Sequence, residues 1–178
     1  MSILKIARIG HPVVRTAAKP VAKKAFGDPA FQKLIDDMRE TMYEYEGVGV
    51  AAPQVHVSLR LAVLEVPGSE SQEEIPFTVV ANPVITPIGD EAENGWEGCL
   101  SVPDLRGVVP RLKQLRLEAL DRHGKAFSLE ASDFFARVIQ HECDHLDGQV
   151  YLDRMADMKS LTFIKEFEAH VLGDNEEE

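Results

Sequence analysis

Cysteine is scarce in this chain. Only Cys99 and Cys143 occur in 178 residues, too few for a disulfide framework, so the sequence does not read as a small stapled secreted domain. Net positive charge is also lacking. The formal balance is −11, which argues against nucleic acid or an anionic membrane held through a broad basic face. No run approaches the roughly 20 apolar residues of a membrane span. The opening stretch, MSILKIARIGHPVV, is broken by Lys5 and Arg8 and has no clean apolar core, so no signal peptide is expected. Internal repeats and low-complexity linkers are missing as well. The expected setting is a reducing cytoplasm (bacterial), or an organelle interior if the chain is the mature form of a processed precursor.

What remains is an ordinary globular composition, 44% hydrophobic and 28% charged, at a length that suits one domain with a sizeable core. The expectation is a single catalytic domain over 1–172 and an acidic, disordered tail, GDNEEE, at 173–178. Asp28-Pro29 reads as an N-cap and first helical residue. Phe31, Leu34, Ile35, Met38, Met42 and Tyr45 follow at helical spacing, and Gly47 closes the pattern. The middle is strand-like at 59–66 and 77–86. The segments 114–120 and 126–131 flank DRHGK as a hairpin. The loop 67–76 is polar and reads as mobile. A second helix is expected from Ser132-Asp133 to about Gly148, and a third over 157–172. Strands and helices do not alternate, which favours an α+β fold of mostly antiparallel strands around the second helix, with a C-terminal helix.

QHECDHLDG (140–148) holds the H-E-x-x-H pattern. On a helix of 3.6 residues per turn, His141 and His145 project from one face about 40° apart, and Glu142 lies about 100° away. Two imidazoles so placed can share one metal ion, with Glu142 in reach of a water in the ion's open position. Phe134 and Val138 share that face and would give the site an apolar wall. The plain alternative is a helix that packs through Phe135, Ile139 and Leu146 and carries two unremarkable histidines. A catalytic site of this kind needs a third protein ligand. Glu166, Glu168 and Cys99 are the candidates. Cys143 sits about 200° around from His141 and reads as a small buried thiol. Cys99 lies in ENGWEGCLSVP (93–103), which reads as a tight turn with Gly95 and Gly98 flanking Trp96-Glu97.

Three stretches together resemble one family. GVGVAAPQ (47–54), EGCLS (97–101) and QHECDH (140–145) are similar, in order and spacing, to the signature motifs of the peptide deformylases, and the likeness spans about residues 5–155. These enzymes remove the formyl group from the N-terminal formylmethionine of newly made proteins. The resemblance implies Cys99, His141 and His145 as metal ligands, Glu142 as the catalytic carboxylate and Gln54 as the active-site glutamine. It implies Fe²⁺ as the ion, with Zn²⁺, Ni²⁺ or Co²⁺ as replacements, a choice that thiolate plus imidazole allows. The side-chain amide of Gln54 and the backbone N–H of Leu100 would stabilise the developing oxyanion; otherwise Gln54 is a turn-stabilising amide.

The same resemblance implies that the segment around Val48 and Gly49 pairs with the substrate backbone like an added strand. Gly47 and Gly49 would permit the close approach, although Gly47 also reads as a helix cap. Val48, Trp96, Phe134 and Val138 are candidates for the methionine slot, with Trp96 otherwise a core residue. Glu97 and Gly98 are counted with the substrate contacts. Arg106 either steers the peptide, pairs with Glu97, or is a solvated surface arginine. N-formylmethionyl nascent peptides are the implied partners. Some relatives are thought to dock on the ribosome through a basic C-terminal helix, a route that the acidic GDNEEE opposes. Two other readings stand beside this one: an endopeptidase using Glu166 or Glu168 as third ligand, and a non-catalytic metal or peptide-binding module.

Overall fold

The computed structural model describes residues 2–68 and 74–172. Part of the polar loop 67–76 and the whole acidic tail 173–178 lie outside the described residues. Chain order among the main elements is α1 (Pro29–Glu44), β1 (Gly49–Ala51), β2 (Leu61–Val66), β3 (Ile75–Pro87), β4 (Ala92–Cys99), β5 (Val102–Leu112), β6 (Gln114–Leu120), β7 (Ala126–Ser132), α2 (Asp133–Leu146), β8 (Thr162–Phe163) and α3 (Ile164–Phe167). One sheet has the order β1-β2-β3-β6-β7 and a second β4-β5-β8. Every strand pairing in both sheets is antiparallel.

The larger sheet is covered on both faces. Phe31, Ile35, Met38 and Met42 of α1 pack with Val50, Leu61, Val63 and Val79. Leu64, Val80, Leu115 and Leu117 point the other way, onto Ala136, Val138 and Ile139 of α2. Alternate residues of β2 therefore serve different helices, and this is why its sequence reads as an apolar run rather than an alternation. The smaller sheet has its own cluster, in which Cys99, Val102 and Val109 meet Val150 and Tyr151. α2 thus occupies the centre, between two sheets, as the α+β reading expects.

Asp28 caps α1, its side chain accepting from the Ala30 N–H at 2.9 Å. The β6–β7 hairpin turns through Asp121, whose Oδ1 takes the N–H groups of His123 and Lys125. Three expectations change. Ser132 stands at the N-cap of α2 but its side chain makes no capping bond, because Ser132 is still paired with Gln114 in the β6–β7 ladder. The third helix does not start at 157. Asp157 instead caps a 3₁₀ turn over Met158–Ser160, Thr162 and Phe163 add a short strand to β5, and helix begins at Ile164 and ends in a π turn over Glu168–Leu172. Finally, Glu93–Pro103 is no tight turn. It is most of β4, a two-residue turn at Leu100-Ser101 and the start of β5, with Cys99 paired to Val102. Among the described residues no helix is long and apolar enough to cross a membrane.

Candidate metal centre and peptide cleft

α2 presents His141 and His145 from one face, and the end of β4 brings Cys99 to them. Cys99 Sγ lies 3.2 Å from His145 Nε2, and one ligand atom from each of Cys99, His141 and His145 falls within 4.8 Å of the others. Glu166 and Glu168 stay outside: both are exposed, and Glu166 pairs with His170 at 3.4 Å. Cys143, on another side of α2, packs against the cluster beneath the larger sheet, and burial pushes its thiol up to about 12.

The charges fit a cation at this point. Burial alone would raise the Cys99 thiol, but the charges of the His145 and His141 rings and their hydrogen bonds outweigh it and hold the thiol well below its usual range. A thiolate is the form that binds metals. His141 is pushed well up against the effect of burial, by its contacts with Cys99 and Glu97. His141 Nδ1 is 2.9 Å from Glu97 Oε2. With the proton on Nδ1, that contact leaves the Nε2 lone pair for a ligand, the arrangement by which carboxylates orient metal-binding imidazoles. The donor set, one thiolate and two imidazoles, suits a borderline divalent ion.

Glu142 is 4% exposed, and its Oε2 has no hydrogen-bond partner among the described residues. Burial lifts its carboxyl to about 7, with the adjacent imidazoles pulling the other way. Gly49 of β1 faces it. A Cβ at position 49 would stand 2.5 Å from Glu142 Oε1, so a residue without a side chain is needed there. Gln54 is buried; its Oε1 accepts from the Ala51 N–H at 2.8 Å and its Nε2 points at Cys99 Sγ, 3.5 Å away. It stabilises a turn and faces the site at once, so the two sequence readings of Gln54 are compatible.

A cleft of about 1160 Å³ opens over these groups. Of the fourteen residues singled out for the site, Val48, Gly49, Gln54, Trp96, Glu97 and Gly98 line it on one part of the wall. Cys99, Leu100, Arg106, Phe134, Val138, His141 and Glu142 complete their number, while His145 sits behind the surface. Trp96 is 36% exposed and Phe134 41%, so neither is a core residue. β1 is the outer strand of its sheet, with Val48 and Gly49 at the cleft.

Glu97 edges the cleft, but its charged end is held by the protein. Its carboxylate is buried between Arg111 Nε and Nη2, at 2.9 and 3.0 Å, Arg137 Nη1 at 2.9 Å, and His141. These bonds, led by Arg111, overcome burial and hold its carboxyl at about 2. Arg106 does not pair with it. Its guanidinium lies across Gly98, where a Cβ would come within 1.6 Å of Nη1. Gly95 serves Arg137 likewise, with a Cβ reaching 2.7 Å from its guanidinium carbon. The two glycines keep an extended strand flat enough for arginines to lie on it. Sequence reasoning missed Arg137 and Arg111. Arg137 stands four residues before His141, a helical spacing that places it on the ligand face, and so had a signal. Arg111 had none. It also reaches Asp144 at 2.6 Å, and Asp144 is held in turn by Arg154 at 2.7 Å.

A helix bearing H-E-x-x-H, a cysteine from a neighbouring strand and a buried free carboxylate below an open cleft define a metal-dependent hydrolase site of the thiolate type. Known proteins narrow this further. The polypeptide deformylase family model matches residues 3–161. Peptide deformylase 2 of Pseudomonas putida is 47% identical over 158 residues, covering 87% of this chain and 89% of that protein. A class I type b peptide deformylase from Acinetobacter baumannii superposes with a TM-score of 0.83 at 35% identity, covering 87% of this chain and all of that one. A further structure of that enzyme, described as bound to Met-Ala-Ser, gives 0.81 at 34% identity, over 86% of this chain. The chain belongs to the polypeptide deformylase family.

Proposed function

We propose that this protein hydrolyses the N-formyl group of formylmethionyl nascent peptides, releasing formate and a free amino terminus. One observation carries the reading: Cys99, His141 and His145 converge within 4.8 Å of one another at the floor of a cleft that also holds Glu142, Gln54 and the edge strand β1. The Acinetobacter baumannii neighbour described with Met-Ala-Ser fits a peptide that begins with methionine. Residues 1–172 act as a single catalytic domain in the cytoplasm of a bacterium, or in an organelle if the chain is a processed form.

Cys99 Sγ and the Nε2 atoms of His141 and His145 would hold one ferrous ion, with zinc, nickel or cobalt able to replace it. When bound, the ion supplies Lewis acidity for the carbonyl and a lowered pKa for water. Glu142 takes a proton from the attacking water as its hydroxyl joins the formyl carbon. The C–N bond then breaks, and Glu142 returns the proton to the leaving methionine nitrogen. A carboxyl near 7 can perform both halves at neutral pH. The amide of Gln54 and the Leu100 N–H donate to the oxyanion. The methionine side chain lies among Val48, Trp96, Phe134 and Val138, and the peptide backbone runs along β1 as an added strand. Arg106 flanks the peptide from β5.

Formate release from formyl-Met-Ala-Ser by protein purified without oxygen, with metal analysis of the same sample, tests the reading. Glu142→Gln should keep the metal and lose on the order of 10²–10⁴ in kcat. Metal-replete protein that releases no formate overturns the proposal.

A further inference from the structure

The cleft has a wall that the catalytic description does not use. β8 pairs with β5 through Arg106–Thr162 and Leu105–Phe163, so the chain after residue 161 is tied to the strand that carries Arg106. From there it turns inward. Ile164 lines the cleft. One helical turn on, Phe167 sets its ring 4.8 Å from that of Trp96, tilted by 57°. Trp96 is itself a cleft residue and is the only tryptophan in the chain. Ile164 and Phe167 are both partly exposed, so the pair of rings and the isoleucine leave apolar surface open at this end of the cleft. Ile164 and Phe167 themselves belong to α3, whereas the metal cluster and Glu142 lie on α2 and the end of β4.

We propose that Ile164 and Phe167, seated on Trp96, form a specificity wall for the peptide. They select a bulky apolar side chain downstream of the formylmethionine. The inference rests on the deformylase reading and adds a substrate preference to it. Backbone pairing along β1 admits any sequence, and an apolar wall is the element that would distinguish one nascent chain from another. Burial of a large apolar side chain against such a surface is worth about 10-fold in affinity. The wall meets the substrate before and after reaction alike, so its effect belongs in KM rather than kcat.

The test uses formyl-Met-Ala-Ser and its analogues with phenylalanine at the second or the third position. One of the phenylalanine peptides should show a KM about 10-fold below that of the serine peptide. Phe167→Ala and Ile164→Ser should each bring that ratio toward 1, while Phe167→Leu keeps most of it. Emission of the single Trp96, titrated with the same peptides lacking the formyl group, reads binding without catalysis and should show the same ranking. No preference at either position, or a preference kept in both Phe167→Ala and Ile164→Ser, overturns the wall. If no peptide yields formate while Trp96 emission still ranks the peptides and loses that ranking in Phe167→Ala, the wall stands and the deformylase reading falls.

Discussion

Glu97→Gln separates the roles that the buried carboxylate plays. Glu97 accepts from both arginines, Arg111 and Arg137, and faces the ring of His141. The substitution keeps the volume, removes the charge and turns one acceptor into a donor. Its cost to the fold follows from the carboxyl being held at about 2, against about 4.3 in an unfolded chain. A gap of about 2 units is worth ~3 kcal/mol. That agrees with the 3–5 kcal/mol commonly lost when one partner of a buried ion pair is removed. A carboxyl held below its unfolded value contributes in full above about pH 5 and loses that contribution as the pH falls toward 2. Urea unfolding of the metal-free protein should therefore show the variant ~3 kcal/mol less stable at pH 7. The two proteins should draw together on acidification. The second cost falls on the metal. Without its carboxylate the His141 ring loses the partner of Nδ1, and affinity should drop 10–100-fold, read by chelator competition. Wild-type stability at pH 7 together with wild-type metal affinity would refute the reasoning.

Other changes probe separate atoms. Cys99→Ser should lose the metal, whereas Glu166→Ala and Glu168→Ala should keep it; the reverse pattern in metal analysis would restore the endopeptidase reading. Gly49→Ala should cut kcat at least 10-fold with metal content intact, because its Cβ would stand 2.5 Å from Glu142 Oε1; unaltered turnover would show that β1 gives way. Gly98→Ala should displace the Arg106 guanidinium, which lies within 1.6 Å of the added Cβ, and raise KM more than it lowers kcat.

Much of the scaffold was legible because its rules are local. The period of Phe31, Ile35, Met38 and Met42 marks α1, and Asp28-Pro29 marks its start, since cap and stripe depend only on neighbours along the chain. The hairpin around DRHGK is equally local. H-E-x-x-H could be placed on one helical face from spacing alone. The three motifs in order carried the family. The stretch around Cys99 was misread for the opposite reason. Gly95 and Gly98 look like turn residues, yet each lies flat in β4 with an arginine across it, Arg137 from α2 on the first and Arg106 from the paired strand β5 on the second.

By itself, then, the sequence determined the first two helices, the hairpin, the pair of histidines with Glu142 beside them, and membership of the family. Tertiary structure decided which candidate stands beside the histidines, because the packing of β4 against α2 brings Cys99 near while Glu166 and Glu168 stay exposed in the C-terminal segment. It also decided that the Glu97 carboxylate sits against the His141 ring, and that the chain after residue 161 folds over Trp96. Periodicity records how each segment lies against its own neighbours. The partner of a buried charge is set by which faces meet once the apolar layers have closed, and that information is spread over α2, β4 and β5 together.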